Sequence, residues 1–119
     1  MTLLARLIAK EEGFFVTGSL PARRHNPGDL RHSPHSSHTP DAPDAVGTID
    51  SDVDGWADLE RQLDLDAKRN LTLRDLVYKY APPNENNTGK YLADLCKGLG
   101  GIPSDTFVYD ALKITGDKV

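Results

Sequence analysis

Residues 21–55 read PARRHNPGDLRHSPHSSHTPDAPDAVGTIDSDVDG, and this stretch decides the kind of fold. Five of the eight prolines and all four histidines lie in it. Proline lacks the backbone donor that a helix interior needs, so no long helix can run through these residues. They read as an extended, loop-rich lobe with one short strand at Val46-Gly47-Thr48-Ile49. A loop of this length in a small domain is either functional or disordered.

On both sides the pattern turns helical. Thr2 can cap a first helix with Leu4, Leu7, Ile8 and Glu11 at helical spacing, and Gly13 stands at its end. A second helix is expected from about Asp54, with Trp56, Leu59, Leu63 and Ala67 on one face. A third starts at Thr72, where Asp75 completes a capping box, and its apolar face is Leu73, Leu76, Val77 and Tyr80. Pro82-Pro83 end it. A fourth runs from Asn87 or Thr88 to Lys97, turning Tyr91, Leu92, Leu95 and Cys96 inward, and Gly98 and Gly100 close it. One more short helix is expected around residues 108–112. The fold class is therefore mainly α (α+β): one domain over 1–119, with the 21–55 lobe inserted between the first helix and the helical body. A cleft between body and lobe follows from that layout.

Composition narrows the function. The chain has 119 residues, 38% apolar and 27% charged, enough for one modest core. No apolar run approaches the ~20 residues of a membrane span. The first fifteen residues carry Arg6, Lys10, Glu11 and Glu12 and no small-residue cleavage site, so no signal peptide is expected. A single cysteine, Cys96, excludes an internal disulfide and reads as a small core residue. The net charge of −4 disfavours general nucleic-acid binding, which needs a basic face.

Three features can carry chemistry. Glu11-Glu12-Gly13 ends an apolar helix, where desolvation can raise a carboxyl pKa and make it a proton donor near neutrality. Two solvated helix-terminal glutamates would look the same. Asn26-Pro27-Gly28-Asp29-Leu30-Arg31 is a shaped turn, and an ordinary surface turn would share its residues. Residues 80–88, Tyr-Ala-Pro-Pro-Asn-Glu-Asn-Asn-Thr, form a rigid elbow rich in amides and hydroxyls that suit sugar hydroxyls and N-acetyl groups. A plain helix stop and start needs the same composition. His25, His32, His35 and His38 with Asp41 and Asp44 could be read as metal ligands. The proline-punctuated loop argues against it, and neither metal nor cofactor is expected. Arg23, Arg24 and Arg31 form a local basic patch that could attract peptide carboxylates.

In this order and spacing, Glu12-Gly13, Asn26-Pro27-Gly28-Asp29-Leu30, Gly55-Trp56 with Leu59-Glu60-Arg61-Gln62, and Tyr80-Ala81-Pro82-Pro83 resemble one family. It is the small lysozyme-like, peptidoglycan-cleaving domain of phages and prophages, a relative of lytic transglycosylases. The resemblance runs over residues 8–99. It implies a lysozyme-like fold and cleavage of the MurNAc-GlcNAc β-1,4 bond, with Glu12 as the catalytic acid. It further implies that Asn26 and Asp29 line or brace the cleft and that Tyr80 sits near the acid; substrate binding is expected at Asn26, Asp29, Tyr80, Asn84, Glu85 and Tyr91. The implied partner is the peptidoglycan glycan strand, and a monomer is expected. The implied place of action is the cell wall or periplasm, reached from the cytoplasm by phage-type release or in a virion. The chain departs from the family at residues 32–44, where a Ser/His/Pro-rich stretch stands in place of a regular hairpin.

Two choices stay open. Helical periodicity centres Glu11 on the apolar face, whereas the motif selects the glutamate directly before glycine, Glu12. The motif is weighted higher because periodicity is least reliable in a final turn. A hydrolase needs a second carboxylate, for which Asp29, Asp41, Asp44 and Asp50 are candidates. A transglycosylase manages with one glutamate, and that route is favoured. The alternatives are a non-catalytic virion structural or glycan-binding protein on the same fold, and a metal-binding loop protein.

Overall fold

The computed structural model describes residues 1–84 and 86–115. Helix α1 spans Leu3–Glu11. Thr2 caps it: its Oγ1 accepts the Ala5 N–H at 3.1 Å, while its own N–H donates to Glu60 Oε1 at 2.6 Å. The cap therefore also ties the helix to the body. Gly13 ends the helix at φ +85°, a left-handed conformation that costs glycine little. The buried stripe is Leu3, Leu4, Ala5, Ile8 and Ala9. The expected face of Leu4, Leu7, Ile8 and Glu11 is rotated from the observed one, because two alanines carry part of the contact. Leu7 is only half-buried, against Gly98.

A four-residue helix not foreseen from the sequence, α2 (Leu20–Arg23), opens the lobe. Ser19 caps it, and Pro21 sits in the first turn, where a missing donor costs nothing. Two short strands follow, β1 (Ser36–Ser37) and β2 (Thr48–Ile49). They pair antiparallel, Ser36 with Ile49 and Ser37 with Thr48. The expected strand is thus confined to Thr48 and Ile49; Val46 and Gly47 lie outside it. Ile49 is fully buried and anchors the lobe on the body.

Helix α3 (Asp52–Lys68) starts two residues before the expected Asp54, because Ser51 is the cap. Helix α4 (Leu73–Tyr80) has the expected capping box: Thr72 Oγ1 accepts from Asp75 N at 3.1 Å, and Asp75 accepts from Thr72 N at 3.0 Å. It stops before Pro82. Helix α5 (Thr88–Gly98) is capped by Asn87, and α6 (Val108–Ala111) closes the fold. Gly98 belongs to α5, and the left-handed residues that follow are Gly100 and Gly101. α1 packs on α3 and α5, α4 on α5 and α6, and α3 on α6. Leu4, Ile8, Leu59, Leu63, Leu73, Leu76, Val77, Leu95 and Val108 form the shared core. Each contributes roughly 1.5–3 kcal/mol by leaving water. The result is a compact, mostly helical domain with one two-stranded sheet. No helix among the described residues is long and apolar enough to cross a membrane.

The lobe meets the body by close backbone approach. A Cβ on Gly55 would lie 2.0 Å from the His25 carbonyl oxygen and 2.8 Å from Pro27 Cδ. Only glycine allows the first turn of α3 to rest on the turn that precedes the Asn-Pro-Gly motif.

Candidate active site

A cleft of about 590 Å³ opens between lobe and body, with Glu12 on the body side and Asp29, Arg31 and His32 on the lobe side. Gln62 from α3, Arg69 at its C-terminal cap, Lys79 and Tyr80 from α4, and Asn86 from the elbow complete its polar lining.

Glu12 continues the α1 stripe one turn beyond Ile8, and its N–H still bonds to the Ile8 carbonyl at 2.9 Å. That geometry carries its side chain inward at the lip of the cleft. Burial pushes its pKa up to about 7, and the nearby Asp29 and Glu11 charges push the same way. One interaction opposes them: Tyr91 Oη donates to Glu12 Oε2 at 2.6 Å, which favours the ionised form. A carboxyl poised near neutrality can deliver a proton and take one back. Glu11 faces α5 instead, beside Asp94 and Lys90. Burial and the hydrogen bond and charge of Asp94 raise its pKa to about 6. It lies in a separate groove with those residues, outside the Glu12 cleft.

Asp29 stands at φ +50° in the motif turn. Burial raises its pKa, and Arg24 and Arg31 partly offset that rise. It is the one candidate second carboxylate that lines this cleft; Asp41, Asp44 and Asp50 are exposed elsewhere on the lobe.

Other expected contacts take different places. Asn26 is fully buried and spends its side chain on the main chain. Nδ2 donates to the carbonyls of Leu30 and Gly47 at 2.8 and 2.9 Å, and Oδ1 accepts from Leu30 N at 2.9 Å. It has no group left for a substrate, so it is a brace for the lobe and not a sugar contact. Tyr91 is buried behind Glu12 and acts on that carboxyl, not on the cleft surface. Asn84 is exposed and does not line the cleft, whereas Asn86 from the same elbow does. Tyr80 lines the cleft. Glu85 lies outside the described residues.

Three of the four histidines pair with aspartates, and the fourth, His38, bonds to the Arg31 carbonyl. His25 Nδ1 lies 2.7 Å from Asp52 Oδ1, and His35 Nδ1 lies 2.6 Å from the buried Asp58 Oδ1. His32 Nε2 lies 3.4 Å from Asp44 Oδ1. The first two pairs fasten the lobe to α3. No group of three or more potential ligands converges among the described residues. Cys96 is half-buried against the core, and burial raises its thiol pKa.

Sequence reasoning missed Gln62, Asp66, Arg69 and Lys79, while Asn86 falls within the 80–88 elbow it singled out. Asp66 had a signal: it stands seven residues after Leu59 and three after Leu63, a carboxylate within an apolar stripe. A second groove, of about 680 Å³, is lined by Asp64, Ala67, Lys68, Phe107 and Tyr109. At 100° per residue these α3 positions lie opposite Gln62, Asp66 and Arg69, so the groove is separate from Glu12. Comparison of the chain with family models, with curated proteins and with solved structures gives no match.

Proposed function

We propose that this chain is a lysozyme-like enzyme that cleaves the MurNAc-GlcNAc β-1,4 bond of peptidoglycan, with Glu12 as general acid and base. One observation carries the reading: a half-buried carboxyl at the mouth of a polar cleft, braced by a tyrosine and poised near pH 7. The motif resemblance arrives at the same glutamate independently.

In the proposed reaction the Glu12 carboxylic acid gives its proton to the glycosidic oxygen. The bond between that oxygen and the anomeric carbon breaks, leaving oxocarbenium character on the sugar. The Glu12 carboxylate then takes the proton of the sugar's own 6-hydroxyl as that oxygen bonds to the anomeric carbon. The product is a 1,6-anhydro sugar, and Glu12 ends protonated as it began. The cleft position of Asp29 favours a second version, in which water is the acceptor and Asp29 is the second carboxylate of a hydrolase. Release to the wall by phage-type lysis or in a virion belongs to the same proposal.

Digestion of purified cell walls, read by mass spectrometry, tests this. Anhydro-muropeptides support the one-glutamate route, and new reducing ends alone move the assignment to the Asp29 hydrolase. Binding of walls without cleavage would replace both with a glycan-binding or virion structural role.

A further inference from the structure

The floor of the cleft is organised by a carboxylate that does not itself line it. Asp66 is 0% exposed. Its Oδ1 accepts from Lys79 Nζ at 2.8 Å and from Gln62 Nε2 at 3.1 Å, and its Oδ2 accepts from Tyr80 Oη at 3.2 Å. All three donors line the cleft together with Glu12. A buried carboxylate is expensive to desolvate, and an apolar residue would serve packing as well or better. What Asp66 adds is direction. Tyr80 has one hydroxyl proton, and Asp66 takes it. The Tyr80 oxygen is then left with only lone pairs for the cleft. The two tyrosines near Glu12 are thereby divided: Tyr91 donates to Glu12, while Tyr80 donates to Asp66.

We infer that Asp66 is a positioning residue that fixes Tyr80 as a hydrogen-bond acceptor for a sugar hydroxyl beside Glu12, with Lys79 and Gln62 held as donors around it. The catalytic part of this inference rests on the proposed glycan cleavage; the hydroxyl geometry does not. Burial and the Asp66 charge and hydrogen bond keep the Tyr80 phenol far above its ordinary pKa, which gives the geometry its own signature.

Two measurements test it on the whole chain, with circular dichroism as the folding control. The first is alkaline titration of tyrosine absorbance. The Asp66→Asn variant should show one phenol ionising at lower pH than in the parent, and adding Tyr80→Phe should remove that phenol. An unchanged titration overturns the inference whether or not the chain cleaves walls. The second is a double-mutant cycle on wall digestion. Asp66→Asn and Tyr80→Phe should each lower kcat about tenfold, and the double variant should fall no further than the worse single one. Independent, multiplicative losses overturn the inference while leaving the cleavage reading intact. A parent that does not cleave removes the cleavage reading, and the titration still decides the Asp66–Tyr80 relation. If Asp66→Asn alone unfolds because the Lys79 ammonium loses its counter-charge, Asp66→Asn with Lys79→Met takes its place in both measurements.

Discussion

The hydroxyl of Tyr91 and the carboxyl of Glu12 meet at 2.6 Å across 79 residues of sequence. The contact joins the end of α1 to the first turn of α5. It is also the one hydrogen bond that pulls the Glu12 pKa down against burial. The protonation state of the site is thus a balance between a helix end and a distant tyrosine.

Glu12→Gln should keep the fold, because the amide has nearly the same shape and can still accept from Tyr91. Wall cleavage should fall by ~10²–10⁴-fold, the usual contribution of a positioned acid. Glu11→Gln should keep substantial activity, since Glu11 faces Asp94 and Lys90 and not the cleft. Turbidity loss of wall suspensions compares the two directly. A folded, active Glu12 variant beside a dead Glu11 variant would move the assignment by one residue.

The pH dependence has a definite sign. Folding raises the Glu12 pKa to about 7. Between the ordinary glutamate range and that value the folded state holds more proton than the unfolded state, so stability falls as pH rises. Glu12→Gln removes this penalty. Its melting temperature should exceed the parent's above pH 7, by a free energy on the order of 2 kcal/mol, and match it near pH 4. Equal melting curves at pH 8 would contradict the buried position of the carboxyl.

Tyr91→Phe removes the one hydrogen bond among the described residues that favours ionised Glu12. The basic limb of the kcat/KM profile, set by loss of the acid's proton, should therefore move to higher pH. A downward move would mean that Tyr91 serves the protonated form instead.

Asn26→Leu leaves the Leu30 N–H and the Gly47 carbonyl without the side-chain partner each has now. At about 1–3 kcal/mol for each buried polar group so abandoned, the variant should lose about 2–6 kcal/mol in urea unfolding. A residue that only touched sugar would lose affinity and keep its stability.

Gly55→Ala should cost about 3 kcal/mol or prevent folding, because its methyl would collide with the His25 carbonyl. Gly89→Ala is the control. It lies in α5 with nothing within 4 Å of the new methyl, and it should gain about 0.5 kcal/mol. Thermal melts of the two variants should separate in opposite directions from the parent.

The helices were legible wherever a cap and an apolar period agreed. Thr72 with Asp75, and Thr2 with Gly13, marked true boundaries. The face of α1 was misjudged because alanines weigh little in a hydrophobic pattern, yet Ala5 and Ala9 lie fully inside. That rotation is why periodicity favoured Glu11 and geometry favours Glu12. For Asn26 the sequence leaves two roles, lining the cleft or bracing it, because a buried asparagine and a cleft asparagine share one letter; the positions of Leu30 and Gly47 select the brace. The floor residues were illegible as a group for a related reason. Tyr80 stands out in the Tyr-Ala-Pro-Pro motif and Asp66 in the Leu59–Leu63 stripe, but Gln62 and Lys79 have no telling neighbour in sequence, and the four come together only when α3 and α4 are packed.

The lobe is joined to the body at its base, by Ile49, the Gly55 contact and the His25–Asp52 and His35–Asp58 pairs, with Asn26 bracing it from within, while residues 38–45 beyond the two-pair ladder carry none of these ties. Residues 38–45 are tied instead to the cleft wall: Arg31 Nη1 donates to the Asp44 carbonyl at 3.0 Å, His32 lies beside Asp44, and His38 bonds to the Arg31 carbonyl. The outer part of the lobe is therefore a lever on one wall of the cleft alone: an exchange there reaches Arg31 and His32, while Glu12 and the Asp66 network are held by the helices of the body.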